Sequence, residues 1–256
     1  MPWGREALEQ LVLPAECLLC RGLLSFRDSA RLVCDVCRHR WRPVRPAWCD
    51  RCGQPEPLFG ACRLCATWPP ALVHARSAVW LDGGARAAVH ALKYGGLPRI
   101  AEELAGAMAG LDLPGLDSAW LVPVPLGPKR LWRRGYNQSE RLARALARRW
   151  RRPVVKLLAR TRDTATQTAL TPEARLANVA GAFQVRNGES GMRSERSFGN
   201  AALRIPHSAL ERPLILVDDV FTTGATLAEA ARPLERAGAA TVMAVTFGRA
   251  VIPDFT

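Results

Sequence analysis

The 256-residue chain has no apolar run near 18 residues, so nothing in it reads as a membrane-spanning helix. Residues 1–14 carry Glu6 and Glu9 and lack a long apolar stretch, which is unlike a secretory signal. The expected location is the cytoplasm. Lysine is scarce, occurring only at 93, 129 and 156, so nearly all the positive charge is arginine. No cysteine follows Cys65. What is plentiful is basic and apolar. The net charge is +13 and the pI about 10.4, a balance that suits nucleic acid or polyphosphate partners. An arginine bias can also reflect genomic base composition, so charge alone leaves the partner open. A hydrophobic content of 48% and a mean hydropathy of −0.04 are enough for one large or two small domains with a real core.

The eight cysteines form four Cys-x-x-Cys pairs: Cys17/Cys20, Cys34/Cys37, Cys49/Cys52 and Cys62/Cys65. Each such turn aims two thiolates at one point, and two turns close a tetrahedral zinc site. Four turns give two structural Zn²⁺ ions with every position filled by sulfur, which leaves no open position for chemistry. Disulfides would suit a secreted chain, which this does not resemble. Sequential and cross-brace pairings are both open. The closeness of the third and fourth pairs favours sequential closure. Trp41, Trp48 and Trp68 lie among and after the knuckles and are expected to cover the gap between the two ribbons. The turn-rich Thr67-Trp68-Pro69-Pro70 marks a boundary, giving a zinc module over 1–70 and a second domain over 71–256.

In that second domain, Leu214, Ile215, Leu216 and Val217 make a run fit for a strand buried on both faces. Asp218 and Asp219 follow, then Thr222, Thr223, Gly224 and Thr226, then a helical segment from 227 to 237. A turn in that position presents free backbone N–H groups at a helix N-terminus, where phosphate is attracted. The hydroxyls add hydrogen bonds, and Gly224 allows close approach. The two carboxylates suit the hydroxyls of a sugar. The implied ligand is a ribose 5-phosphate.

Other strands are expected at 78–81, 120–126, 154–158, 182–185 and 241–247, with helices at 85–92 and 99–110. Between the 120–126 strand and the next helix lies a basic loop holding Lys129, Arg130, Arg133 and Arg134. Residues 129–152 carry ten basic side chains against one acid, Glu140. Within them, Arg141, Arg144 and Arg148 share one helical face, while Leu142, Leu146 and Trp150 form another. That arginine stripe is either a solvated face or a track for a nucleic-acid backbone. Residues 187–200 hold three glycines and three serines and read as a flexible insertion.

The 218–226 segment resembles the phosphoribosyl-pyrophosphate (PRPP) motif of type I phosphoribosyltransferases; Phe221 is bulkier than the commonest versions carry. With the cysteine pairs, Ala91-Leu92-Lys93-Tyr94, Val122-Pro123-Val124-Pro125, Arg134-Gly135-Tyr136-Asn137-Gln138, Arg160-Thr161-Arg162 with Gln167, and Arg175-x-x-Asn178, the chain resembles the ComF competence-protein family. The resemblance implies an α/β fold: a type I phosphoribosyltransferase-like parallel sheet flanked by helices, preceded by a small cysteine-rich zinc-ribbon module. It implies that Asp218 and Asp219 hold the ribose, and that Val220, Phe221, Thr222, Thr223, Gly224, Ala225 and Thr226 wrap the 5-phosphate. Lys129, Arg130, Arg133 and Arg134 would face the pyrophosphate, with Mg²⁺ accompanying PRPP. Arg162, Gln167, Arg175 and Asn178 would belong to a loop closing over the ligand. Single-stranded DNA and other DNA-uptake proteins are the implied partners, and the arginine stripe of Arg141, Arg144 and Arg148 is the expected surface for the strand. A transferase, a strand-binding protein regulated by PRPP and a zinc-built adaptor remain as alternatives.

Overall fold

The computed structural model describes residues 14–25, 28–46, 49–55, 62, 64–163, 179–186 and 210–251. Its centre is a four-stranded parallel sheet in the order β1-β6-β5-β2. β1 is Leu72–Trp80, β2 Trp120–Pro123, β5 Leu214–Phe221 and β6 Val242–Arg249. β5 and β6 are the most apolar segments and take the two central places, where both faces must be covered. Alternation along β5 divides the core. Ile215 and Val217 face a layer made by α2 (Gly83–Tyr94), α3 (Ala101–Met108) and α5 (Gln138–Trp150). Leu214 and Leu216 face α6 (Ala225–Arg236) and the short antiparallel pair β3 (Leu158–Arg160) and β4 (Phe183–Val185).

Three expectations change. The basic segment after β2 is not a loop but a short helix, α4 (Pro128–Arg134). Pro128 opens it and Gly135, at φ 77°, closes it, which is the ordinary placement of these two residues. The strand expected at 154–158 reduces to a single bridge from Val154 to Leu121, and strand pairing moves on to β3. β1 begins earlier than expected, because half-buried His74 and Arg76 interrupt its apolar pattern.

The zinc module does not stand apart. Its first ribbon, with α1 (Asp35–His39), joins the core on the α2–α3 side through Cys17, Leu24, Val33 and Trp41. Its second ribbon joins the α6 side through Cys52, Leu64, Cys65 and Trp68. Trp41 and Trp68 therefore cover the seams between ribbons and sheet, and not the gap between the ribbons. Trp41 meets Phe247 of β6 edge-on at 5.0 Å, and Trp68 lies 6.0 Å from Phe221 of β5. A sheet offers far more apolar surface to cover than a second small ribbon does, so burial draws both rings there. Trp48 lies outside the described residues, as does the expected insertion at 187–200.

Candidate functional site

Two four-sulfur clusters are present. Cys17, Cys20, Cys34 and Cys37 form one, and Cys49, Cys52, Cys62 and Cys65 the other; within each, the sulfurs all lie within 4.8 Å of one another. Pairing is sequential. Cys20 and Cys34 Sγ are 3.7 Å apart, Cys49 and Cys65 3.7 Å, Cys52 and Cys62 3.5 Å. These are close to the edge of a tetrahedron with Zn–S of about 2.3 Å, and too long for disulfides. The residues fit structural zinc. Within the first cluster the thiols differ: burial opposes ionisation of Cys17, but N–H hydrogen bonds, chiefly from Cys34 and Cys20, outweigh it and pull the thiol down to about 6, whereas burial pushes the Cys37 thiol well up.

The second site is a cavity of about 510 Å³ at the carboxyl ends of the strands, the usual ligand position in an open parallel sheet. β5 carries Asp218 and Asp219 into it, 8% and 4% exposed. Successive strand residues leave on opposite sides, so the two carboxylates have different partners. Ser139, at the start of α5, donates its Oγ–H to Asp218 Oδ1 at 2.8 Å, and the Asp219 N–H donates to the same oxygen at 2.9 Å. Lys93 Nζ lies 3.1 Å from Asp219 Oδ1, and Asp219 Oδ2 is buried with no hydrogen-bond partner among the described residues. Burial first, and then the neighbouring Asp219 charge, push the Asp218 carboxyl up to about 7; Ser139 and Lys93 pull the other way without prevailing.

Val220, Phe221, Thr222, Gly224 and Thr226 line the cavity beyond the acid pair. Thr223 is buried, its Oγ1 accepting from the Ala225 N–H at 3.4 Å, and Ala225 opens α6. Gly224 adopts φ 77°, and a Cβ there would lie 2.5 Å from Trp68 Cζ2 and 3.0 Å from the Phe221 ring. Glycine is thus required twice, by backbone conformation and by the tryptophan packed beneath the turn.

α4 supplies Arg130, Arg133 and Arg134 to the cavity wall. Lys129 is exposed at the start of α4, and its backbone N–H points to Asp163 Oδ2 at 3.4 Å. Arg162 donates to the Ala180 carbonyl oxygen. Gln167, Arg175 and Asn178 fall outside the described residues. Arg141, Arg144 and Arg148 line the exposed face of α5. There Arg144 pairs with Glu140, Arg148 with Glu102, and Arg141 sits 5.8 Å from the Tyr136 ring centre.

Several members of the wall had no site role assigned from the sequence. Lys93, Arg86 and His90 come from α2, Ser139 from α5 and Arg160 from β3. Lys93 and Arg160 stand within motifs that carry the family resemblance, and Lys93 is one of three lysines. Ser139 had no such signal, since it reads as an ordinary first-turn residue.

A double ribbon of cysteine knuckles seated on a parallel α/β sheet, with a buried acid pair ahead of a glycine turn, defines the class. Residues 8–66 match the double zinc ribbon domain. The "DNA utilization protein YhgH" of Escherichia coli (strain K12) is 32% identical over 247 residues, covering 91% of this chain and 96% of that protein. The "Competence protein ComFC" of Bacillus subtilis (strain 168) is 26% identical over 252 residues, covering 91% and 94%. The "Competence protein F" of Haemophilus influenzae is 34% identical over 119 residues, covering 46% and 44%. The chain belongs to the ComF family of competence proteins. Among the described residues, no helix is long and apolar enough to cross a membrane.

Proposed function

We propose that the cavity binds PRPP and that the protein serves DNA uptake by handling single-stranded DNA. One observation carries the ligand assignment. A buried acid pair, a threonine-glycine turn at the start of α6 and three arginines of α4 line the same cavity. In this reading Asp218 and Asp219 accept hydrogen bonds from the ribose hydroxyls, and the unpartnered Asp219 Oδ2 is a ready acceptor. The backbone N–H groups at the start of α6 and the hydroxyls of Thr222 and Thr226 hold the 5-phosphate. Arg130, Arg133 and Arg134 meet the pyrophosphate, and their charge favours its departure from C1. Mg²⁺ accompanying PRPP would offset part of the pyrophosphate charge beside these arginines. A nitrogen nucleophile then attacks C1 as the C1–O bond to pyrophosphate breaks.

A second reading keeps the pocket and drops turnover, with PRPP as a regulator of strand binding. Its support is that the relatives are named for DNA utilization and competence, and not for transfer of a ribosyl group. A screen of nucleobases and amines for PRPP-dependent pyrophosphate release separates the two, with Asp218→Asn/Asp219→Asn as the control. Release that vanishes in the control establishes the transferase. If there is no release, and single-stranded DNA binding is weakened and less salt-dependent on replacing Arg141, Arg144 and Arg148 by alanine, the second reading stands.

A further inference from the structure

Phe221, the bulky residue of the acid-and-threonine motif, is packed by two neighbours. The Arg249 guanidinium lies 4.1 Å from its ring centre, and Trp68 lies 6.0 Å from it. Arg249 is 1% exposed; two of its three nitrogens are hydrogen-bonded, while its Nε is buried without a partner among the described residues. Its Nη1 donates to the Cys52 carbonyl oxygen at 2.9 Å and its Nη2 to Gln54 Oε1 at 2.8 Å. Cys52 belongs to the second sulfur cluster. One cation therefore ties the turn that carries a zinc ligand to the ring that lines the anion loop.

Trp68 is anchored with equal care. Arg51, between Cys49 and Cys52, donates to the carbonyl oxygens of Cys65, Trp68 and Pro69 at 3.2, 3.3 and 2.8 Å. From the other side, α6 holds the same segment: Arg232 donates to the Thr67 carbonyl oxygen at 3.1 Å, and Glu235 accepts from the Ala71 N–H at 2.8 Å. α6 is the helix whose first turn receives the phosphate in the proposed binding mode. The second ribbon thus grips the anion loop at Phe221, beneath Gly224 and along the helix behind it.

We propose that Arg249 and Trp68 are positioning residues for the anion loop, through which the second zinc ribbon sets the affinity of the cavity for a sugar 5-phosphate. This rests on the sugar-phosphate reading of the cavity. The pyrophosphate wall is built by α4, to which neither residue makes a hydrogen bond or ring contact among the described residues, so the two halves of the ligand report separately. Calorimetry with ribose 5-phosphate and with inorganic pyrophosphate, on the full chain and its Arg249→Met, Arg249→Lys and Trp68→Ala variants, tests this. Arg249→Met and Trp68→Ala should weaken ribose 5-phosphate by about tenfold and move pyrophosphate by less than about twofold. Arg249→Lys, which keeps the charge, should fall between. Unchanged ribose 5-phosphate affinity, or equal loss of both ligands, overturns the proposal.

A measurement on the unmodified protein guards against variants that fold poorly. Coupling is reciprocal, so ribose 5-phosphate should tighten the hold on one of the two zinc ions in competition with a chelator. Tightening of neither ion, or of both alike, overturns the proposal. Unmodified protein that binds pyrophosphate but not ribose 5-phosphate would remove the sugar-phosphate reading itself, and the proposal with it. Binding of both ligands with variants that behave as the unmodified protein would remove the proposal alone.

Discussion

The two ribbons are built from the same sequence device and end in different mechanical situations. The first closes over the α2–α3 layer. Glu103 of α3 accepts from the Leu32 N–H at 3.2 Å and pairs with Arg38 at 3.2 Å, while Trp41 packs on Phe247. These contacts reach a helix and the sheet, away from the 218–226 turn. The second ribbon closes on the opposite face of the sheet and reaches that turn directly through Trp68, and through Arg249 of β6, which Cys52 and Gln54 hold. Four cysteines at knuckle spacing specify a metal site; what the site supports is decided by the surface on which burial seats it.

The largest difference between the ribbons should follow from losing one ligand in each. Cys52→Ser and Cys34→Ser should each release one zinc, and each should destabilise the chain by on the order of several kcal/mol. Only Cys52→Ser should also weaken ribose 5-phosphate by more than about tenfold. Zinc analysis, thermal melts and calorimetry on the two variants read this out, and equal affinity in both would erase the distinction between the ribbons.

A smaller effect isolates the cavity from either ribbon. Asp218 is held protonated up to about pH 7 by burial and by Asp219. Its folded value lies above the unfolded one, so between about pH 4 and 7 unfolding releases a proton and stability falls as pH rises. Asp218→Asn removes that slope. From pH 4 to pH 8 the variant should gain on the unmodified protein by on the order of a few kcal/mol, measured by urea unfolding at a series of pH values. A constant difference across the range would show that Asp218 titrates normally.

Smaller still is the contact under the turn. Gly224→Ala should cost about 1–3 kcal/mol, because φ 77° is unfavourable for alanine and the methyl meets Trp68. Combined with Trp68→Ala, the loss should be less than the sum of the two single losses, since the collision is then gone. Additive losses would mean that the second ribbon does not press on the turn.

Much of this was legible in the chain. The apolar run before Asp218 had to be a buried strand, and four knuckles had to form metal sites. The local signals for α4, Pro128 and Gly135, were also present, although charge density made the segment read as a loop. Other features depend on contacts that no local pattern encodes. Arg249 ends a strand, where a cation normally reaches solvent; it is buried because the Cys52 carbonyl oxygen, 197 positions earlier, takes one of its hydrogens. Ser139 and Lys93 reach the acid pair from helices that local periodicity places but does not orient. Phe221 was visible as a departure from the commonest motif, and its reason lies in Trp68 and Arg249.

The central claim is that Asp218 and Asp219 hold a phosphorylated ribose. Calorimetry with PRPP and Mg²⁺ on the unmodified protein and on Asp218→Asn/Asp219→Asn tests it most directly. Saturable binding by the unmodified protein is expected, with a loss of affinity of at least about tenfold in the double variant and zinc content unchanged. Equal affinity in the two proteins, or no binding by either, would contradict it.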